Sequence, residues 1–321
     1  MNFPRLLLCP ALAALLSPTA HALIIAGPNG QANSTQASLN TWATANSKPV
    51  FPFWNNVIPV SDSSGVYLGN SGSYGWVLTA AHVTPLTLSS SITVTGTAFT
   101  VRDNVPISGT DLRLYRIGGE IGDPALPALA NIPLANSSPA IGTPILDFGR
   151  GGRQEATSNS AINSDIANSP GPDLFSFDWA GAGTMRWGTN TTASTSVFAG
   201  STSPFILIPG LAGTQSFISR FDDPGAGNYL TTTESSLGVN DSGGPVFTVK
   251  AGAWEISGIN AFVSGPRPGD VAPAQTKFGD YSGYNDLATY RSSLIAAMVP
   301  EPSVFTTLAT GLFALTFWRK R

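Results

Sequence analysis

The sequence predicts an all-β protein of two antiparallel barrels in succession, closed by a C-terminal helix. Three observations predict it. Charged residues are only 11% and hydrophobic residues 42%, while Gly (34) and Pro (25) are plentiful, the composition of short apolar runs separated by many turns. Several of those runs alternate apolar and polar residues with a period of two. They fall into two clusters split by a connector rich in Pro, Ala and Asn, and the one good helical pattern comes last.

Residues 1–22 read as a secretory leader. Arg5 supplies the positive charge, Leu6 to Leu16 is an apolar run too short to span a bilayer, and Ala20-His21-Ala22 places small residues where a signal peptidase reads. Removing the leader takes away the only cysteine, Cys9, and one of the 2 histidines, His21. The mature chain then has no disulfide and depends on core burial, for which it is long enough. His82 is its sole histidine, so a site of several His or Cys ligands for zinc or copper is excluded within one chain. No metal and no cofactor are expected.

The first domain is expected at 23–135. Residues 23–49 are turn-rich with weak strand signal. Val50 to Leu68 mixes apolar stretches with Pro, Asn, Ser and Gly, and Trp76-Val77-Leu78-Thr79 is a β-type run. Ser91 to Val101 alternates almost strictly, as a half-buried strand should, and Leu112 to Ile117 does the same. Residues 118–138 are the connector. The second domain, 136–298, opens with Gly142 to Gly149. A polar loop at 150–172 follows, then strand-like runs near 183–189, 204–209, 214–220 and Trp254 to Val263. Asp286 can cap a helix whose Leu287, Tyr290, Leu294, Ile295 and Met298 share one face.

Residues 299–321 form a tail. Val299-Pro300-Glu301-Pro302-Ser303 breaks the chain, Val304 to Trp318 is apolar, and Arg319-Lys320-Arg321 ends it. This is a membrane-retention layout, although fifteen apolar residues are short for a stable span. An ordinary anchor remains the alternative to a transient tail. Without Arg5, Arg319, Lys320 and Arg321 the 16 basic residues become 12, and without Glu301 the 19 acidic ones become 18, so the body carries near −6. That favours solubility, and with no run of like charges nucleic acid is not expected as a partner.

Three segments carry chemistry. In Trp76-Val77-Leu78-Thr79-Ala80-Ala81-His82-Val83 a strand runs into small residues and delivers an imidazole, the side chain suited to a general base near neutrality. In Thr110-Asp111-Leu112-Arg113-Leu114 an acid opens an alternating strand, where its carboxylate can fix an imidazole's tautomer; a strand-edge aspartate in a turn is the plain alternative. In Gly238-Val239-Asn240-Asp241-Ser242-Gly243-Gly244-Pro245 a serine sits on a sharp glycine-flanked turn before a hydrophobic strand. Backbone N–H groups there can point inward as an oxyanion hole. An exposed polar turn is the plain alternative.

Taken together, Thr79-Ala80-Ala81-His82 and Asp241-Ser242-Gly243-Gly244-Pro245 resemble the two signatures of the chymotrypsin/trypsin-like serine protease family, over roughly residues 50–298. Asp111-Leu112 matches the third element, in the family's order His, Asp, Ser. The resemblance implies two six-stranded Greek-key barrels and a catalytic triad of His82, Asp111 and Ser242. It implies an oxyanion hole from the N–H groups of Asn240 and Ser242, where the family usually has Gly in place of Asn240. It implies a primary pocket floored by Ser236 and walled by Ala261, Phe262 and Val263. No carboxylate lies at that floor, although Glu234 is near in sequence, so small or medium apolar side chains are expected before the cut. The family pairs Asp241 with a newly freed α-amino group. Leu23-Ile24-Ile25-Ala26-Gly27 follows the leader directly, so leader removal would itself release that amine, with one residue to spare if Ile24 is the inserted one.

The tail is similar to PEP-CTERM sorting tails of Gram-negative exopolysaccharide producers, a likeness carried by Pro300-Glu301-Pro302. That implies signal peptidase and an exosortase as processing partners and transient membrane contact through the tail. It implies export to the periplasm, cell surface or extracellular matrix. The expected function is an exported serine endopeptidase acting on proteins or peptides. The alternatives are a catalytically weak or inactive surface- or matrix-binding protein on the same fold, and an esterase; no Gly-x-Ser-x-Gly elbow surrounds Ser242.

Overall fold

A computed structural model describes residues 23–25, 33–151, 153–154, 176–180, 184–194, 205–208, 213–222, 233–238, 240–264, 275–277 and 279–299. The leader, the tail beyond Val299 and most of the 150–172 loop lie outside these residues. The fold is all-β with two α-helices among the described residues. Strand β1 is Ile24–Ile25 and helix α1 is Gln36–Ala45. Then come β2 (Val57–Val60), β3 (Ser63–Ser71), β4 (Tyr74–Ala80), β5 (Ser91–Val94), β6 (Thr97–Pro106) and β7 (Leu112–Ile117). The second half holds β8 (Pro144–Gly149), β9 (Arg153–Gln154), β10 (Ser176–Ala180), β11 (Arg186–Ala193), β12 (Phe205–Ile208) and β13 (Thr214–Arg220). It continues with β14 (Ser235–Ser236), β15 (Pro245–Lys250), β16 (Ala253–Ser264), β17 (Gln275–Lys277), β18 (Tyr281–Asp286) and helix α2 (Leu287–Met298).

The first half forms one six-stranded antiparallel sheet in the order β2-β3-β4-β7-β6-β5. The alternating run 91–101 is two strands, not one. Thr95 and Gly96 take φ of 49° and 81° and fold it into a tight hairpin that pairs Val94 with Thr97, as a two-residue turn with two left-handed residues should. Ile92, Val94, Phe99 and Val101 still point into the core, because the turn preserves the period-two alternation. In the second half β11, β8, β15, β16, β18 and β13 are neighbours in that order, and β11 also pairs with β13, so six strands close on themselves; β12 adds to β13 outside the ring.

An aromatic cluster joins the halves. Phe51, on the segment before β2, stacks on Phe148 of β8 at 5.0 Å and meets Phe247 of β15 at 4.9 Å and Trp254 of β16 at 5.5 Å. Each such ring removed from water contributes roughly 1.5–3 kcal/mol, and one apolar core draws residues from both halves. Helix α1 was not expected in a stretch dominated by Ser, Thr and Asn. Its signals were Thr35, whose Oγ1 accepts the Ser38 N–H at 3.1 Å, and the helical spacing of buried Leu39 and Ala43. The C-terminal helix starts as its sequence indicates, with Asp286 Oδ1 accepting the Ala288 N–H at 3.3 Å.

Candidate active site

Strand pairing brings His82 and Asp111 together. Ala80 of β4 pairs with Leu112 of β7, so the residues just past these two positions must meet. The Ala81 N–H donates to the Asp111 carbonyl at 3.1 Å. The His82 N–H donates to Asp111 Oδ1 at 2.8 Å, and His82 Nδ1 lies 3.0 Å from Oδ1 and 2.8 Å from Oδ2. A ring nitrogen facing a carboxylate carries the proton, which leaves Nε2 as the acceptor. Nε2 lies 2.7 Å from Ser242 Oγ. The three residues singled out in sequence thus form one chain of hydrogen bonds, Asp111 buried and His82 one-third exposed.

The second half holds Asp111 from behind. Asn285, fully buried on β18, donates through Nδ2 to the Asp111 carbonyl at 2.8 Å and to Oδ2 at 3.1 Å. Thr214 Oγ1, at the start of β13, accepts the Asp111 N–H at 2.5 Å. Sequence reasoning missed both residues. Neither belongs to a motif, and only the packing of one half on the other brings them within reach.

The turn that carries Ser242 is equally constrained. Asn240 takes φ +69° and Gly243 φ +80°. Asn accepts the left-handed region better than most residues, which is how it occupies this position of the turn. At Gly243 a Cβ would lie 2.1 Å from Thr79 Oγ1 and 2.2 Å from the Ser64 carbonyl, so here glycine is needed for space as well as conformation. The Ser64 N–H donates to the Ser242 carbonyl at 3.0 Å and the Gly243 N–H to the Asn260 carbonyl at 2.9 Å. Asn260 Nδ2 ties Phe148 and Asp241 together through their carbonyls at 2.7 and 3.0 Å. The N–H groups of Asn240 and Ser242 meet no acceptor among the described residues, and both residues line the cleft. Unpaired backbone donors beside a hydroxyl are groups from which an oxyanion site can be built.

Asp241 points the other way, into the second half. Its carboxylate accepts N–H groups from Gly238 at 2.7 Å, Gly151 at 2.8 Å and Leu23 at 3.4 Å. Burial pushes it up to about 7; these donors work against the shift, and the charge of Asp147 adds to it. Burial also pushes Asp147 up to about 6, opposed mainly by the Ser235 hydroxyl at 2.7 Å. Arg186, fully buried, is pushed down to about 10 by burial, with the Asp241 charge opposing. Leu23, Ile24 and Ile25 are buried, and β1 pairs with β14, Ile24 opposite Ser236.

A cleft of about 360 Å³ surrounds Ser242. His82, Asn240, Ser242, Ala261, Phe262 and Val263 line it. Ser236 does not, which corrects the expected floor. Its side chain is fully buried, with Oγ 3.1 Å from Ser282 Oγ. The next residue, Leu237, lines the cleft instead and packs with Val246, Tyr284 and Val263. An apolar side chain is favoured over a hydroxyl at this junction of core and cleft because it fills both without an unmet hydrogen bond. Glu234 is also buried away from the cleft, accepting the Asp222 N–H at 2.7 Å. The Phe262 ring rests on Gly283, where a Cβ would overlap it.

A scan against protein-family models finds no match, and a search of curated proteins finds none either.

Proposed function

We propose that this protein is an exported serine endopeptidase with a chymotrypsin-like arrangement of two barrels. The observation that carries the reading is the unbroken chain from Asp111 through His82 to Ser242, its last link 2.7 Å, beside two N–H groups without acceptors among the described residues. In this reading Ser242 Oγ attacks the scissile carbonyl while His82 Nε2 takes its proton. The carbonyl oxygen, now negative, lies between the N–H groups of Asn240 and Ser242. His82 then protonates the leaving amine, and water releases the acyl group by the same path in reverse. Asp111 keeps the proton of His82 on Nδ1 and stabilises the imidazolium. The six-stranded sheet and the closed ring fit a pair of Greek-key barrels, as does the seat of the triad between them.

Two further parts of the reading concern processing and specificity. A cut after Ala22 would turn the Leu23 nitrogen, already 3.4 Å from Asp241 Oδ1, into an ammonium beside a buried carboxylate. Leu23 rather than Ile24 would then be the inserted residue, and leader removal would complete the site. The leader and the PEP-CTERM-like tail rest on residues 1–22 and 299–321 of the sequence, which support export to the periplasm, cell surface or matrix, with signal peptidase and an exosortase as the proposed processing partners. Leu237 and Val263 make the acyl-side pocket shallow and apolar, suited to Ala, Val or Leu before the cut. The test pairs a fluorophosphonate label with peptide turnover. Labelling at Ser242, lost in Ser242→Ala together with turnover, is expected. A folded protein that neither labels nor cleaves would instead be a binding protein on this scaffold.

A further inference from the structure

The cleft has two banks of different character. On one, Ala261, Phe262 and Val263 belong to β16. Along this stretch β16 pairs with β18 on one side, Phe262 with Gly283 and Val263 with Ser282, while its pairing with β15 ends at Ile259. Among the described residues its other edge is unpaired along this stretch, so it can offer backbone groups to an extended peptide, which would add there as a further strand. The acyl half of a substrate lies on this bank, over Leu237. The opposite bank is built by Asp62 and Ser63, at the turn between β2 and β3, and by Val83 and Thr84 after His82. The substituents of a scissile carbonyl point apart, and the leaving nitrogen must reach His82 Nε2 to be protonated. The leaving half therefore runs over the Asp62 bank.

Among the described residues lining the cleft, Asp62 alone carries a carboxylate, and apart from His82 the others are neutral. It is held in place. Ser61 takes φ +54° in the tight turn that pairs Val60 with Ser63. Two residues beyond Asp62, the Ser64 N–H is bonded to the Ser242 carbonyl and Ser64 Oγ accepts the Arg150 N–H, each at 3.0 Å. No described cation forms an ion pair with Asp62; the half-buried Arg150 does not.

Resting on the peptidase reading, we infer that Asp62 selects substrates with a cationic side chain, Lys or Arg, at the first or second residue after the cut. The preferred site is then a small apolar residue followed by a basic one. The group is exposed, so the preference is graded: about two- to fivefold in kcat/KM at low salt, shrinking as salt screens it.

The test uses peptides with one acyl half and Lys, Gln or Glu after the cut. Each rate is divided by the same enzyme's rate on the matched acyl aryl amide, which has no leaving-side residue. The mature protein is expected to rank Lys above Gln above Glu, Asp62→Asn to flatten the ranking and Asp62→Lys to invert it. A flat ranking in the unaltered enzyme, or one that survives Asp62→Asn, overturns the inference while aryl amide turnover leaves the peptidase reading standing. No turnover of either substrate and no phosphonate label on Ser242 overturns both.

Discussion

The two halves of the molecule bury different things. The first half is filled with Val66, Val77, Leu78, Ile92, Phe99, Leu112 and Leu114; of its buried polar residues Asn56 and Thr110 bond within it, while Ser64, Thr79 and Asp111 meet the second half. The second half buries Asp147, Arg186, Asn190, Glu234, Ser235, Asp241, Asn260 and Asn285 around a much smaller apolar cluster of its own. Apolar burial is indifferent to pH and tolerates substitution by volume. Buried polar groups cost desolvation and must each find a partner, so they fix one geometry and make it depend on protonation. The first half is a stiff mount that delivers His82 and Asp111. The second is a polar framework that aims the Ser242 turn.

The largest effect should come where the mount meets the chemistry. Asp111→Asn keeps the packing but removes the charge behind His82, and kcat/KM should fall by about three to four orders of magnitude with little change in the urea midpoint. A small loss of turnover would break the link between the first half and catalysis. Next is Gly243→Ala, at the seam. Its methyl has no room beside Thr79 and Ser64 and its φ is left-handed, so unfolding free energy should drop by about 3 kcal/mol or more, with phosphonate labelling slowed. Retention of full stability would mean that the turn is looser than its contacts indicate.

Asn285→Ala tests whether the second half also steers the acid of the first. Losing a donor to a carboxylate costs about 1.5–3 kcal/mol, read as a ten- to hundredfold loss in kcat/KM. A serine or histidine able to donate at the same place should recover part of it. An unchanged kcat/KM in the alanine variant would confine Asn285 to structure.

Protonation separates the halves directly. Asp147 and Asp241 are raised in the fold from 3.8 to about 6 and about 7, so near pH 5 the folded chain holds protons that the unfolded chain has released. Their contribution is therefore best below about pH 4 and is lost as pH rises toward 7. In the Ser242→Ala background, Asp241→Asn should flatten this decline by on the order of 1–2 kcal/mol. A chain with residues retained before Leu23 should decline more steeply than the cut chain, whose ammonium offsets the Asp241 charge. Equal slopes in urea titrations at pH 4.5 and 7 would remove Leu23 from the account. The smallest effect is expected for Ser236→Ala. It breaks a buried hydroxyl contact and should cost about 1 kcal/mol of stability, while kcat/KM stays within about twofold, since Ser236 lies beneath the cleft wall rather than in it.

Period-two alternation made the strands legible, because a sheet with one face in the core must alternate. The Asp286 cap and the apolar face behind it made α2 legible, and the small or turn-forming residues around His82, Asp111 and Ser242 made those three stand out. What local pattern could not supply was set by contacts between residues far apart in the chain. The hairpin at Thr95-Gly96 was hidden because a two-residue turn leaves the alternation intact. Helix α1 was hidden because its stability comes from packing Leu39 and Ala43 more than from helix propensity. Asn285, Thr214 and Asn260 gained their roles only when one half docked on the other, as did the burial of Ser236 and the exposure of Leu237 to the cleft. The sequence by itself determined which side chains could do chemistry, since that is written in residue type and local turn. Tertiary structure decided which of them meet, because hydrogen bonds act over about 3 Å and only folding brings distant segments within that range.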